Sequence, residues 1–383
     1  MTELLTAAAK APGVAREPIS EAGQLSQWKL MRLRFARNKL AMSGVVGLIV
    51  MYIVVALAPF LAPNDYTLQN SDYIYGPPSP FTFVGPDEQL GLRLYTYAVS
   101  TVLNEKNLEY MFVLDETRKI PVYFFVHGDP YRMLGFINSD VHLFGVELPQ
   151  RIYPMGADDL GRDMMARVLT GGQISMTVGL LGVAMTITFG SIMGGASGYF
   201  GGVIDDVMQR IIEIIMAFPT IPLWAALAAA LPDISGSFTS LDRFFLITVI
   251  LSLLAWTGLA RQLRAKVMSY RQADFCYAAL AAGSSDARII FQHMLPNASS
   301  HIIVVGALAI PAMILGETAL SFLGLGILPP LVSWGSLLRG AQQVSAVTMH
   351  PWLLMPAVGV ILTVLFYSFL GDGLRDAADP YSI

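Results

Sequence analysis

Charge is what this chain has least of. Of its 383 residues only 14% are Asp, Glu, Lys or Arg, against about 25% in ordinary soluble domains. One cysteine, Cys276, excludes any internal disulfide. Histidine is scarce too, and His293 and His301, eight apart with Pro296 between them, are too distant for a metal pair on one helix. The glycines of "GGASGYFGG" (194–202) lack the Gly-Lys-Ser/Thr ending of a phosphate loop. They suit close helix approach and a tight turn instead. Asp158, Asp159 and Asp163 have no His or Cys at ligand spacing, so they read as a capped interfacial helix with Arg162 as cationic partner. No nucleophile–base pair or metal set stands out. These shortages exclude a hydrolase or a nucleotide-driven motor within the chain, and no nucleic-acid partner is expected.

What is abundant is apolar sequence, 54% of the chain. Leu40–Asn64, Val168–Ile204 and Gly340–Gly371 carry no charged residue at all. A membrane span needs roughly 20 apolar residues, so each run can hold one. "LAMSGVVGLIVMYIVVALAPFL" (40–61) is longer than a signal-peptide core and follows 39 residues of other composition, so it reads as an uncleaved first span. The expected spans are 40–61, 173–197, 207–231, 244–262, 300–323 and 352–371. Arg210 and Glu213, at i, i+3 in the third, are placed to pair.

The few charges are unevenly spread. Residues 1–40 hold seven Lys/Arg, among them the membrane-flanking Arg32, Arg34, Arg37 and Lys39, and 261–297 hold five. Residues 62–172 hold eight Lys/Arg but fourteen Asp/Glu. The positive-inside rule puts the N-terminus and the 261–297 loop in the cytoplasm, and six spans from there leave 62–172 outside and the 263–299 loop and the C-terminus inside. Inside that outer segment, "YMFVLDETRKIPVYFFVHGDP" (110–130) reads as two strand-forming runs around a charged turn at Asp115–Lys119, stopped by Gly-Asp-Pro. A small, mixed α/β extracytoplasmic insert over about 66–150 is predicted, serving as a spacer or lid, or as a contact for a partner.

Two polar features interrupt the apolar half. Glu317 lies in the fifth span, where an ionisable side chain suggests a proton or ion site; it equally suits a hydrogen bond to Ser321 one turn on. The other feature is "YAALAAGSSDARIIFQHMLPN" (277–297). Its Ala-rich start favours helix, Gly283 ends that helix in a tight turn, and Ser284 or Ser285 caps a second helix that Pro296 closes. The result is a helix–Gly–helix elbow between two spans, suited to a groove on a partner protein.

This stretch resembles the EAA loop of binding-protein-dependent ABC importer permeases, Glu-Ala-Ala, three residues, Gly, nine residues, Ile, any residue, Leu-Pro. Ala278, Ala279, Gly283 and Leu295-Pro296 match, while Tyr277 stands in the Glu position and His293 in the Ile position. "RFARNKLAMSG" (34–44), "GADDLGRDMMARVLTGGQISMTVGL" (156–180), "GYFGGVIDDVMQR" (198–210), "AFP" (217–219), "ETALSFLGLGILPPLVSWGSLL" (317–338) and "GDGLRDAADP" (371–380) resemble, in order, the C-type dipeptide/oligopeptide permeases of that family. The long insert departs from most of its members.

The resemblance implies an all-α polytopic inner-membrane protein with six transmembrane helices of the type I ABC importer permease kind. Its expected parts are a basic segment (1–39), a first span (40–61), an insert (62–153) and a permease core (154–383) with its coupling loop at 270–297. It implies a second, homologous permease subunit, two cytoplasmic ABC ATPases that hold ATP and Mg, and an extracytoplasmic substrate-binding protein. No cofactor is expected in this chain. Tyr277, Ala278, Ala279, Gly283, Arg288, His293, Leu295, Pro296 and Asn297 are the expected ATPase-coupling residues. For Glu317 and Ser321 the resemblance favours packing over a pathway role. The cargo implied is a peptide or peptide-like compound; a nickel complex or glycoside fits the same family, and a secondary transporter or membrane enzyme lies outside it.

Overall fold

A computed structural model describes residues 27–86, 90–103 and 110–379; the basic Lys10 and Arg16 lie outside them. Helices α1 (Gln27–Arg37) and α2 (Lys39–Ala56) meet at Asn38, whose side chain accepts a hydrogen bond from the Ala41 amide and so caps α2. A single turn, α3 (Ala58–Leu61), leads into strands β1 (Phe81–Val84), β2 (Leu90–Leu103), β3 (Tyr110–Pro121), β4 (Tyr123–Met133) and β5 (Ile137–Gly145). Then come α4 (Met164–Phe200), α5 (Gly202–Met216), α6 (Thr220–Ala229) and α7 (Ser240–Tyr270). Short helices α8 (Asp274–Ala281), α9 (Asp286–Arg288) and α10 (Leu295–Asn297) precede α11 (Ser299–Phe322). Last are α12 (Trp334–Leu338), α13 (Val344–Met349) and α14 (Met355–Ala378).

Five of these are long and apolar enough to cross a membrane: α2, α4, α7, α11 and α14 with the turn before it. The expected third span is instead broken, α5 and α6 being bent by 83°. Pro219 causes the break, since it cannot donate an amide and pushes Phe218 out of helical geometry. Arg210 and Glu213 pair at 2.9 Å on α5 as their spacing suggests. Helices α4 and α7 outrun the expected spans. At 37 residues α4 is about 56 Å long, nearly twice a hydrocarbon core. Hydropathy marks only the lipid-length portion of such a helix; the capping residues Asp163 and Thr239 mark where each one starts.

The core lies where α4 and α7 run against each other and against α11, around Val178, Ile247, Leu251, Met313 and Ile314. Gly190, Gly194 and Gly198 face α7 at one-turn intervals. A Cβ at Gly194 would stand 2.5 Å from the Ala260 carbonyl oxygen, and one at Gly198 2.6 Å from that of Arg264. The two backbones therefore touch, as small residues permit in membranes. Gly194→Leu is expected to force the helices apart, with overpacking of about 1–3 kcal/mol or more. A lower melting temperature of the purified chain in detergent is the readout, and an unchanged one would mean that the close approach is dispensable.

The insert is antiparallel β, ordered β1–β2–β3 with β4–β5 as a separate hairpin. Among the described residues its only helical element is a 3-10 turn, Ser71–Tyr73, so the α part of the expected α/β mixture is that turn. Asp115–Lys119 is no turn either. It lies within β3, where the ladder jumps from Tyr97–Lys119 to Ala98–Asp115 and residues 116–118 bulge out. Asp115 holds the bulge by accepting from the Thr117 amide (3.0 Å) and hydroxyl (2.6 Å). Gly-Asp-Pro likewise sits inside β4, at a register break between His127 and Tyr131 that tolerates Pro130.

Polar contacts fasten this hairpin to the end of α3. Arg151 donates twice to Asp129 (2.6 and 2.9 Å), and Asp129 also accepts from the Asp65 amide. His142 lies buried with its ring nitrogens 2.5 and 3.0 Å from the carbonyls of Ala62 and Asp129. The Arg151 guanidinium holds the Asp129 carboxyl below its ordinary value of 3.8. A depressed carboxylate stabilises above its unfolded pKa and loses that contribution as pH falls through the folded one. Pepsin is therefore expected to cut the 123–145 hairpin increasingly as pH drops below 3.8. Asp129→Asn should show that susceptibility already at milder acidity, and equal profiles for the two proteins would discard the effect.

Candidate functional site

The elbow begins where α7 ends. After α8, Gly283 takes φ +75°, and the amides of Ser284 and Gly283 bond back to the carbonyls of Ala279 and Leu280. That pair of bonds is a Schellman close, which favours glycine at this position. Ser285, in extended geometry, precedes α9. The second half differs from expectation at Pro296, which does not end the helix. The chain stays helical to Asn297, by way of a π-helical turn, Ile289–Met294. Pro296 cannot supply an α-helical amide, and the widened turn before it accommodates that loss.

One face of the elbow is buried. Cys276, Ala279, Ile289, Ile290 and Met294 pack with Tyr199 and Val267, and Leu295 covers their edge. Tyr199 at the end of α4 donates to Asp286 (2.7 Å). Next to it, Asp205 of α5 accepts two hydrogen bonds from Arg264 (2.5 Å each) and one from Ser197. The elbow is thus anchored on the ends of α4 and α7, and α5 is tied to α7 beside it. The other face is open. Tyr277 is 57% exposed, Leu280 48% and Phe291 51%, beside exposed Ala278, Gly283, Arg288, Pro296 and Asn297. Arg288 donates to Gln292 (3.0 Å), and Asn297 to the carbonyl of the half-buried His293 (2.7 Å).

So the expected coupling residues form one structure, split between anchor (Ala279, Leu295), the half-buried His293 and open surface (Tyr277, Ala278, Gly283, Arg288, Pro296, Asn297). Sequence reasoning missed Tyr199, Asp205 and Arg264. "GYFGGVIDDVMQR" stood out as a motif, but nothing local to it names Arg264, 59 residues away.

Glu317 stands 18 residues into α11, about 27 Å along the axis from its start next to the elbow. It is fully buried. Ser321 donates to one carboxyl oxygen (2.6 Å) and Ser175 of α4 to the other (2.9 Å). Each serine also accepts a backbone amide, Ser321 from Ile327 and Ser175 from Trp334. Glu317 is therefore the hub joining α4, α11, the 324–333 loop and α12, and no ion pair reaches it among the described residues. This geometry suits packing. Among the described residues no three of His, Cys, Asp and Glu group to hold a metal.

The acidic segment at the same end is structural. Asp158 pairs with Arg162 (2.8 Å) and Arg167 (3.1 Å), while Asp163 caps α4 by accepting from the Met165 amide (2.9 Å). Burial pushes Asp163 up to about 7, against hydrogen bonds from Asn64 and the amides of Met165 and Ala166.

Comparison with known proteins adds the following. The family described as "Binding-protein-dependent transport system inner membrane component" matches residues 186–381, and the "N-terminal TM domain of oligopeptide transport permease C" matches 26–78. The chain is 40% identical over 227 residues to the oligopeptide transport system permease protein OppC of Haemophilus influenzae, covering 59% of this chain and 69% of that one. It is 28% identical over 357 residues to the OppC of Bacillus subtilis, covering 93% and 90%. Against the dipeptide transport system permease protein DppC of Alkalihalophilus pseudofirmus it is 38% identical over 233 residues, covering 61% and 73%.

Proposed function

Because the chain belongs to the binding-protein-dependent transport inner-membrane component family, it is the membrane translocation part of an ABC importer, and we propose that its cargo is a peptide or peptide-like compound. The cargo reading is supported by the relatives, which are named for oligopeptide and dipeptide transport. In this reading the chain pairs with a homologous second permease, receives cargo from an extracytoplasmic binding protein, and rests on two cytoplasmic ATPases that hold ATP and Mg. Both termini and the elbow face the cytoplasm, in keeping with the Lys/Arg excess at 1–40 and 261–297.

The observation that carries the coupling role is the two-faced elbow. A buried anchor on α4 and α7 lies beneath an open surface bearing Tyr277, Leu280 and Phe291. Exposed aromatic and apolar groups on a rigid base are the anchors by which a partner is gripped. Motion of an ATPase against this surface would pass through Tyr199–Asp286 and the packed cluster into the helices, and the spans would rock between two states.

Two measurements test this. Tagged protein purified gently from its native cell should bring with it a second permease and one or two ATPases, identified by mass spectrometry. Labelled di- and tripeptides should be taken up in an ATP-dependent way, without competition from nickel complexes or glycosides. Recovery of the chain alone in a transport-competent state removes the importer assembly. Uptake competed by nickel complexes or glycosides and not by peptides keeps the assembly and discards the peptide.

A further inference from the structure

The base of the insert carries large apolar groups that its own fold leaves uncovered. In β4, Phe124 is 65% exposed and the neighbouring Phe125 is 64% exposed. Phe125 has a φ of +55°, a left-handed conformation that is an outlier for a bulky residue. The Phe125 ring lies near Phe60, with ring centroids 6.3 Å apart.

Phe60 fixes where this patch lies. Helix α2 has 18 residues, about 27 Å of rise, close to a hydrocarbon thickness of about 30 Å. Phe60 comes in the single turn just beyond it, at the level where hydrocarbon gives way to headgroups. Along α2, Val46, Val50 and Ile53 are all exposed. Past the break at Leu57, the half-buried Phe60 lies at the outer end of this uncovered stripe of the first span. Phe125 extends that stripe from the helix onto the insert.

The rim has matching chemistry. Tyr123 precedes the two phenylalanines, and the exposed Arg93 places its guanidinium 4.7 Å from the Tyr123 ring centroid. Val122, between β3 and β4, donates its amide to the Leu94 carbonyl of β2 (2.9 Å), beside Arg93 and Tyr123. One amphipathic tyrosine ring beside two apolar rings, with a cation against it, makes up the pattern of a headgroup-level anchor.

We propose that Tyr123, Phe124 and Phe125 seat the base of the insert in the lipid leaflet reached by the outer end of the first span, with Arg93 on the lipid phosphates. The insert is then held at two places, by the Asp129–Arg151 and His142 contacts to the end of α3 and by lipid. It acts as a fixed platform beside the helices and not as a swinging cover. The inference needs the family's membrane location but is independent of what the importer carries.

Spin labels on Phe124→Cys and Phe125→Cys test it in the assembled transporter reconstituted in bilayers, with Asp140→Cys on the same hairpin as a solvent reference. Cys276 is buried, and unlabelled-position protein serves as its blank. The expected result is more frequent collision with oxygen than with a water-soluble nickel chelate at 124 and 125, and the reverse at 140. Labels at 124 and 125 that behave like the one at 140 overturn the proposal. Labels shielded from both reagents overturn it too, because another protein chain then covers the patch. Unmutated protein supplies a second reading, in which a photoactivatable phospholipid should label the 119–132 segment; absence of that label counts against lipid contact.

Discussion

Gly283→Asp should abolish uptake while the chain still inserts and accumulates in the membrane. At φ +75° an alanine pays about 1–2 kcal/mol of backbone strain and an aspartate less; the alanine cost shifts a two-state balance by a factor of about 5–30. Space is not the obstacle, since a Cβ at this position meets no atom within 4 Å. Gly283→Ala should therefore show the strain alone, as a partial loss of uptake. Aspartate adds a carboxylate to the open surface beside Tyr277 and Leu280, which any docked chain would have to desolvate. The elbow lies beyond the apolar part of α7, so insertion is unaffected. Uptake of labelled peptide, normalised to the amount in the membrane fraction, is the measurement. Normal uptake by Gly283→Asp would remove the hinge role.

Glu317→Ala should be the most destabilising substitution in the helical core. It deletes a fully buried side chain and leaves the hydroxyls of Ser175 and Ser321 without their acceptor. Cavity and unpaired groups together cost about 3–5 kcal/mol. The loss should appear as a large drop in melting temperature and as release of the 324–338 segment to protease. Glu317→Gln is the informative contrast. Its amide carbonyl still accepts from one serine, and the other hydroxyl can rotate to accept from the new amide, so the cost should stay near 1 kcal/mol. If Glu317 carried a proton or ion, Gln would stop transport as completely as Ala. Near-normal transport by Gln with failure of Ala identifies a packing hub.

The elbow was legible in the sequence because its determinants are local. An Ala-rich run and a glycine within a dozen residues specify the turn, while the serine expected to cap the second helix, Ser285, stands at the N-cap position without a side-chain bond; Glu317–Ser321 is likewise a single helical step. Pro296 was misread for a nonlocal reason. A proline ordinarily closes a helix, but here the preceding turn widens and Leu295 packs on the buried cluster, which keeps the chain helical. In the insert, strand-forming runs located the strands, while Asp115–Lys119 looked like a turn and Gly-Asp-Pro like a stop. Bulges and turns draw on the same residues, and only pairing with the neighbouring strand separates them.

By itself, then, the sequence determined a multi-span membrane chain, the helix–Gly–helix elbow and the β character of the insert. Tertiary structure alone decided that Arg264 reaches Asp205 across 59 residues and that Ser175 reaches Glu317 across 142. It also decided that a proline turns the third apolar run by 83°, and that Phe125 meets Phe60. Helical period and capping are written within a few residues of chain. Which faces meet, and at what register, depends on how closely glycines such as Gly194 and Gly198 let whole helices approach, a property of the packed pair and of neither helix alone.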